Sequence, residues 1–229
     1  MRPNRVAVVC FLLAAGASAI LLPGLPPRVP LHWDLHGNPN GWGSPLQLAL
    51  LGPGLVLLTW LLLVGLRRAD PKLRAREKQL LAEPGEEARI ELEHSRAARD
   101  VVVSIALMLM VGTHVVLLAL GAGLLHEPGR PLNLALAGFL LLGGNFMGRV
   151  RPNWFVGIRT PWALSDDEVW RRTHRLAGRL MVAAGGLLLA FSLILRPPLL
   201  PGALVAALVL AVAPPTIFSY LLWRRRAAP

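Results

Sequence analysis

Six apolar blocks, each close to the length of a membrane span, decide what this 229-residue chain can become. An α-helix rises about 1.5 Å per residue and the hydrocarbon core of a bilayer is about 30 Å thick, so roughly 20 apolar residues cross it. Blocks of this kind occupy residues 6–22, 46–66, 101–125, 131–147, 180–195 and 202–223. They are continuously apolar rather than alternating, which excludes a membrane barrel. Hydrophobic residues make up 54% of the chain and charged residues 16%, which leaves little from which to build a soluble core. The expected fold class is therefore all-α and membrane-embedded, a polytopic bundle of about six transmembrane helices. Gly52-Pro53-Gly54 and Pro214-Pro215 are expected to bend the second and sixth spans. Arg2 and Arg5 precede the first block as in a signal peptide, with Ala17 and Ala19 near a cleavage-like position. The run is long for such a signal and more spans follow, so an uncleaved first helix is expected.

Charge sets the expected orientation. The net charge of +11 would suggest nucleic acid in a soluble protein, but in a membrane protein basic residues mark the cytoplasmic face and meet anionic headgroups. No direct nucleic-acid contact is expected. With both termini inside, residues 1–5, 67–100, 148–179 and 224–229 hold 21 of the 24 Lys and Arg residues. Only Arg28, Arg130 and Arg196 fall outside. The expected topology is N-in and C-in. The lone cysteine, Cys10, excludes an intramolecular disulfide.

Three regions follow. Residues 1–66 form a two-helix region whose extracytoplasmic connector, 25–45, is rich in Pro, Gly and Trp. Residues 67–100 are charged and divided by Glu83-Pro84-Gly85, and are expected to form a helical hairpin that prolongs the second and third spans. Residues 101–229 carry four spans and a cytoplasmic loop-helix at 148–178.

That loop-helix is where charge, aromatics, glycine and proline mix most densely. Ser165-Asp166-Asp167-Glu168 reads as a capping box, with Ser165 at the N-cap and Glu168 reaching back. The helix after it places Val169, Thr173, Leu176 and Leu180 on one stripe, Trp170, Thr173, His174 and Ala177 on an adjoining one, and Arg171, Arg172, Arg175 and Arg179 around the remaining faces. Arg179 is expected to snorkel to the headgroups. Ahead of the helix, Gly148, Pro152, Gly157 and Pro161 fix turns. Such a segment serves either as an ordinary interfacial loop or as a cytoplasmic docking surface or lid.

Polar groups inside hydrocarbon normally face a bundle interior. His114, in the third span, is expected to bond a neighbouring helix, and Asn145 to bond the loop that follows it. Outside, His32, Asp34 and His36 would share one side of an extended segment and could hold a metal, but three ligands in a Pro/Gly loop make a weak pattern. Trp33 and Trp42 are expected to anchor at the interface, with Gly37 making a turn. Zinc-protease, phosphate-cradling and nucleophile-elbow motifs do not occur. No catalytic residue, cofactor or metal is assigned.

The residues Gly144-Asn145-Phe146-Met147-Gly148, Arg149-x-Arg151-Pro152-Asn153, Gly157-Ile158-Arg159-Thr160-Pro161-Trp162 and Trp170-Arg171-x-Thr173-His174 together resemble the signature of the SdpI family of bacterial membrane proteins. The outer connector, with Val29-Pro30-x-His32-Trp33, Gly37-Asn38-Pro39 and Trp42, is similar to a small domain of unknown function often found ahead of it. Ala163 stands where the family usually has threonine, and Asn40 and Pro45 replace acidic and basic residues. The resemblance implies immunity and signal transduction: toxin resistance against a secreted antimicrobial peptide toxin, with a cytoplasmic ArsR-type repressor held at the membrane. It implies that Asn145, Gly148, Arg149, Arg151, Pro152, Asn153, Gly157, Arg159, Thr160, Pro161, Trp162, Trp170, Thr173 and His174 serve the cytoplasmic side. His32, Trp33, Gly37 and Trp42 would serve recognition outside. Two other classes compete with it: a small transporter or channel whose path follows the proline kinks, and a membrane-embedded enzyme acting on lipid or envelope substrates through His32, Asp34 and His36.

Overall fold

The computed structural model describes residues 3–34, 36–69, 75, 78–79, 82, 85–153 and 156–227. Helix α1 (Pro3–Leu21) ends in a single 3-10 turn at Leu22–Gly24 and leads into strands β1 (Val29–Trp33) and β2 (Pro39–Gly43). Helices α2 (Pro45–Ala69), α3 (Glu86–Gly121), α4 (Gly129–Met147), α5 (Pro161–Ser165), α6 (Asp167–Ile194) and α7 (Leu200–Ala227) follow. Apolar helices long enough to cross a membrane make this an all-α, multi-pass membrane protein. Five helices reach that length and hydropathy among the described residues: α1, α2, α3, α6 and α7. The fourth expected span, α4, is as long as α1 at 19 residues, but Arg130, Asn133 and Asn145 dilute its apolar character.

The connector holds the first departure from expectation. It is not merely a chain of turns: β1 and β2 pair antiparallel, with Val29 opposite Gly43 and His32 opposite Gly41. A Cβ on Gly41 would stand 2.9 Å from that of His32, so glycine lets the strands close. Asp34 makes the turn, its carboxylate accepting from the backbone N–H of His36 at 2.8 Å and of Asn38 at 2.9 Å. Gly37 adopts a positive φ of 84° there, in the region that favours glycine. Just beyond, Ser44 and Gln47 form a reciprocal capping box on α2 that the sequence reading missed. The Ser44 N–H donates to Gln47 Oε1 at 2.7 Å, and the Gln47 N–H to Ser44 Oγ at 3.2 Å.

Helix α2 runs through Pro53, and α7 runs through Pro214 and Pro215, without a break in helical assignment. Helix α3 is continuous from Glu86 into its apolar part, as the hairpin reading expected of its second arm. Most of the first arm, with Glu83 and Pro84, lies outside the described residues, as does Trp154.

Packing falls into two groups joined by α3. On one side α1, α2 and α3 enclose Val6, Ala7, Cys10, Val56 and Leu107. On the other, α4, α6 and α7 enclose Ala137, Leu140, Ala177, Met181, Ala184, Leu188 and Ala207. Outward side chains remain apolar and uncovered, with Ile20 78% and Ile194 77% exposed, because lipid is their solvent. Lipid tails are as apolar as leucine, so close van der Waals packing between small residues drives helix association here. The α4–α6 contact shows it. A Cβ on Gly178 would lie 2.6 Å from the Gly144 carbonyl oxygen, and one on Gly185 2.9 Å from the Leu141 nitrogen.

Candidate functional site

The loop between α4 and α6 folds back over the first turns of α6, and the family-like residues make the joint. Asn153 organises the loop from within. Its amide donates to the Arg151 carbonyl at 2.8 Å and the Val156 carbonyl at 3.2 Å, while its Oδ1 accepts from the Val156 N–H at 2.7 Å. Trp170 and His174 then fasten the loop to α6. The Trp170 indole donates to the Val150 carbonyl at 2.8 Å. His174 Nε2 accepts from the Ile158 N–H at 2.9 Å. Since Nε2 accepts, the proton of the neutral ring sits on Nδ1, which donates to the Trp170 carbonyl at 2.8 Å. The two rings stack with centroids 3.9 Å apart and planes 18° apart. Gly157 has a φ of 109°, and any Cβ there would collide with the His174 ring.

An apolar cluster seals this joint: Val102 from α3, Val150 and Val156 from the loop, Ala163 from α5, and Val169 and Trp170 from α6. Leu222 and Trp223 of α7 pack against it. Trp162 donates from its indole to Ser219 Oγ of α7 at 2.7 Å. Thr160 caps α5 by accepting from the Ala163 N–H at 3.3 Å, and Pro161 opens that helix. The loop thus bonds or packs against α3, α6 and α7.

The capping box expected at Ser165 does not form. Ser165 ends α5 and donates to the Trp162 carbonyl at 3.0 Å. Asp166 sits at the N-cap with φ −137° and ψ 117°, accepting from the N–H groups of Glu168 at 2.8 Å and Val169 at 3.2 Å. Glu168 does not turn back; it pairs with Arg171 and with Arg172, the latter at 2.6 Å. The helix start shifted by one residue because aspartate caps as well as serine does.

Asp166 also accepts from Arg226 Nε at 2.8 Å, tying the end of α7 to the start of α6. That hydrogen bond holds the Asp166 carboxyl below the usual carboxylate range, with the Val169 N–H acting in the same direction. A lowered carboxyl pKa contributes stability that is present at neutral pH and lost as pH falls through the folded value. Asp166→Asn is expected to keep the cap and lose the ion pair, with a small drop in melting temperature that vanishes in acid. Asp166→Ala should cost about 1 kcal/mol more at every pH. Thermal unfolding of both variants at neutral and acid pH checks this.

The site residues therefore divide. Asn153, Trp170, Thr173 and His174 are buried, Thr173 and His174 completely, and Asn153, Trp170 and His174 hold the fold of the loop. Arg149 and Arg159 are exposed, with Arg151, Pro152 and Trp162 partly so. A cleft of about 480 Å³ opens beside Gly157, Arg159, Thr160 and Leu164. Asn145 is not where it was expected: it is exposed on α4 and makes no hydrogen bond to the described part of the loop. Asn153 satisfies the loop instead, and the loop's anchors are on α6. Asn133, the other polar residue of α4, is buried and donates to the Leu200 carbonyl at 3.0 Å.

Among the transmembrane polar groups, His114 bonds as expected. Its Nε2 lies 2.8 Å from Ser18 Oγ of α1, which donates to the Ala49 carbonyl of α2 at 2.7 Å. Ser18 has one proton, so Nε2 is the donor between them. In the connector, His32 is bonded to Asn40 at 2.5 Å, Asp34 serves the turn, and Trp42 is 52% exposed. The described residues show no group of three His, Cys, Asp or Glu placed to hold a metal.

Residues 149–219 match the SdpI/YfhL protein family. The matched segment opens at Arg149 and takes in the clasped loop, α6 and most of α7. Residues 9–57 match a domain of unknown function, DUF1648, which covers most of α1, the β-hairpin and the first half of α2. The immunity protein SdpI of Bacillus subtilis (strain 168) is 25% identical over 194 residues, 84% of this chain and 82% of that protein. No solved structure matches this chain.

Proposed function

We propose that this protein is a non-catalytic immunity and signal-transduction protein of the bacterial cytoplasmic membrane, protecting the cell that makes it from a secreted antimicrobial peptide toxin. The observation that carries the reading is the similarity to the immunity protein SdpI, which runs through both the DUF1648 and SdpI/YfhL segments rather than one motif. In this reading the topology is N-in and C-in, following the basic residues. The β-hairpin with His32, Trp33, Gly37 and Trp42 then faces the toxin, and exposed Trp42 suits an apolar or lipid-bound ligand. The clasped loop faces the cytoplasm. Arg159 at its cleft, with Arg151 and Trp162 elsewhere on the loop, forms the surface on which a cytoplasmic ArsR-type repressor docks, while Trp170 and His174 give that surface a fixed shape. A docking surface that is rigid before binding loses less entropy when it is used.

Deletion of the gene is expected to sensitise the cell to a peptide secreted by its own strain. Re-expression should restore resistance, whereas Trp42→Ala should restore it only weakly at equal membrane abundance. Unchanged sensitivity on deletion and on overexpression, across all the strain's secreted peptides, overturns the reading.

A further inference from the structure

The outer face of the α4–α6 pair carries an unclaimed polar cluster at the end nearest the loop. Arg175 and Arg179 lie one turn apart on α6, and Val182 continues the same exposed stripe toward the middle of the span. On α4 the matching stripe is Leu142 and Asn145, continued by Arg149 just past the helix end, all exposed. The two stripes flank one groove. A Cβ on Gly148 would lie 3.5 Å from the Arg175 Cα, and one on Gly144 3.0 Å from the Val182 nitrogen, so the helices touch along its floor. Arg171 and Arg172 are paired with Glu168. Arg149, Arg175 and Arg179 have no carboxylate partner among the described residues. Arg149 rests its guanidinium over the Phe146 ring, 5.7 Å from the centroid, which holds it against the apolar surface. Asn145 adds an exposed amide one turn deeper, on a stripe where lipid would otherwise meet only apolar groups.

We infer that this groove is a binding site for an anionic phospholipid of the adjacent leaflet. Three guanidinium groups surround the position of a phosphate, with fork geometry suited to its oxygens. The Asn145 amide reaches the glycerol or ester oxygens below, and an acyl chain lies along Leu142 and Val182. Charge complementarity selects a lipid over a second copy of the chain, whose same face would bring like charges together.

Full-length protein, purified and stripped of lipid in detergent, is titrated with phosphatidylglycerol and with phosphatidylcholine of identical acyl chains and read by native mass spectrometry. One or two phosphatidylglycerol molecules should be retained preferentially, and soluble glycerol phosphate should not displace them. The combined Arg149→Gln, Arg175→Gln and Arg179→Gln variant should weaken retention by about a hundredfold, roughly fivefold per basic residue. Arg224→Gln with Arg225→Gln, at the end of α7, should leave it unchanged. If the triple variant does not fold, Arg175→Gln and Arg179→Gln singly should each weaken retention severalfold. Equal retention of the two lipids by the unaltered protein, unchanged retention by the variants, or a lipid-free dimer with this face protected would each overturn the site.

Discussion

Replacing Gly157 by alanine is expected to remove most of the folded protein from the membrane. Two independent costs meet at this position. A φ of 109° is strained for any residue with a side chain, and the new methyl would collide with the His174 ring. Backbone strain of this kind costs about 1–3 kcal/mol, and overpacking a well-filled site costs a similar amount. The collision also pushes Nε2 away from the Ile158 N–H, and a buried donor left without a partner costs about 1–3 kcal/mol more. A sum on the order of 5 kcal/mol is comparable with the whole stability of a typical domain. His174→Phe separates the contributions. It keeps a ring stacked on Trp170 but loses both ring hydrogen bonds, so it should be milder, with loss confined to the loop and the ends of α3 and α7. Fluorescence-detected size exclusion of extracted protein, with limited proteolysis near residues 150–160, ranks the variants. Melting of Gly157→Ala within a degree or two of the unaltered protein would mean that the clasp does not hold the loop.

The clasp also shows what could be read from the sequence and what could not. Continuous apolar blocks have no competing interpretation at this length, so the helices were legible. The two stripes of α6 followed from helical spacing: Val169, Trp170, Thr173, His174 and Ala177 are buried, and Leu176 and Leu180 are half-buried. What those residues bury against was not legible. His174 meets Gly157 and Ile158 sixteen or more positions away, and nothing local at either end announces the pairing. The signature residues therefore read as a docking surface, although Trp170 and His174 spend their polar atoms inside the protein. Other errors came from rules that were sound but had two claimants. Ser165 and Asp166 are adjacent and both cap well, and the phase of α6 chose Asp166. The same reciprocal pattern stands at Ser44 and Gln47, where Pro45 between them fits the first helical position. The β-hairpin was hidden because proline and glycine dominate β2, and only the Asp34 turn and the His32–Gly41 approach make the strand tenable. Asn145 was expected to bond the loop, on the general ground that a polar group in a span seeks an internal partner; it faces outward instead.

Gly52 is the corresponding position inside the membrane, where packing and hydrogen bonding make competing predictions. The His114 ring lies against the Gly52 Cα so closely that any Cβ would overlap it. Gly52→Ala must therefore move α2 from α3 or turn the ring away from Ser18, at a cost of about 1–3 kcal/mol. Removing the hydrogen bond alone is a smaller change. Bonds between transmembrane helices contribute about 0.6 kcal/mol on average, and Ser18 retains the Ala49 carbonyl when the ring is absent. His114 Nδ1 has no partner to lose, being buried and unbonded among the described residues. His114→Leu is thus expected to lower the melting temperature in detergent less than Gly52→Ala does. The double variant should be less damaging than the sum of the two, because leucine can yield to the added methyl where the ring cannot. Resistance to the peptide toxin should survive His114→Leu at equal membrane abundance. The reverse order, with His114→Leu the more damaging or inactive while still folded, would make the ring a working group and favour a proton- or solute-conducting role. The expected order makes Ser18, Gly52 and His114 a packing joint that sets how closely α1, α2 and α3 approach beneath the β-hairpin.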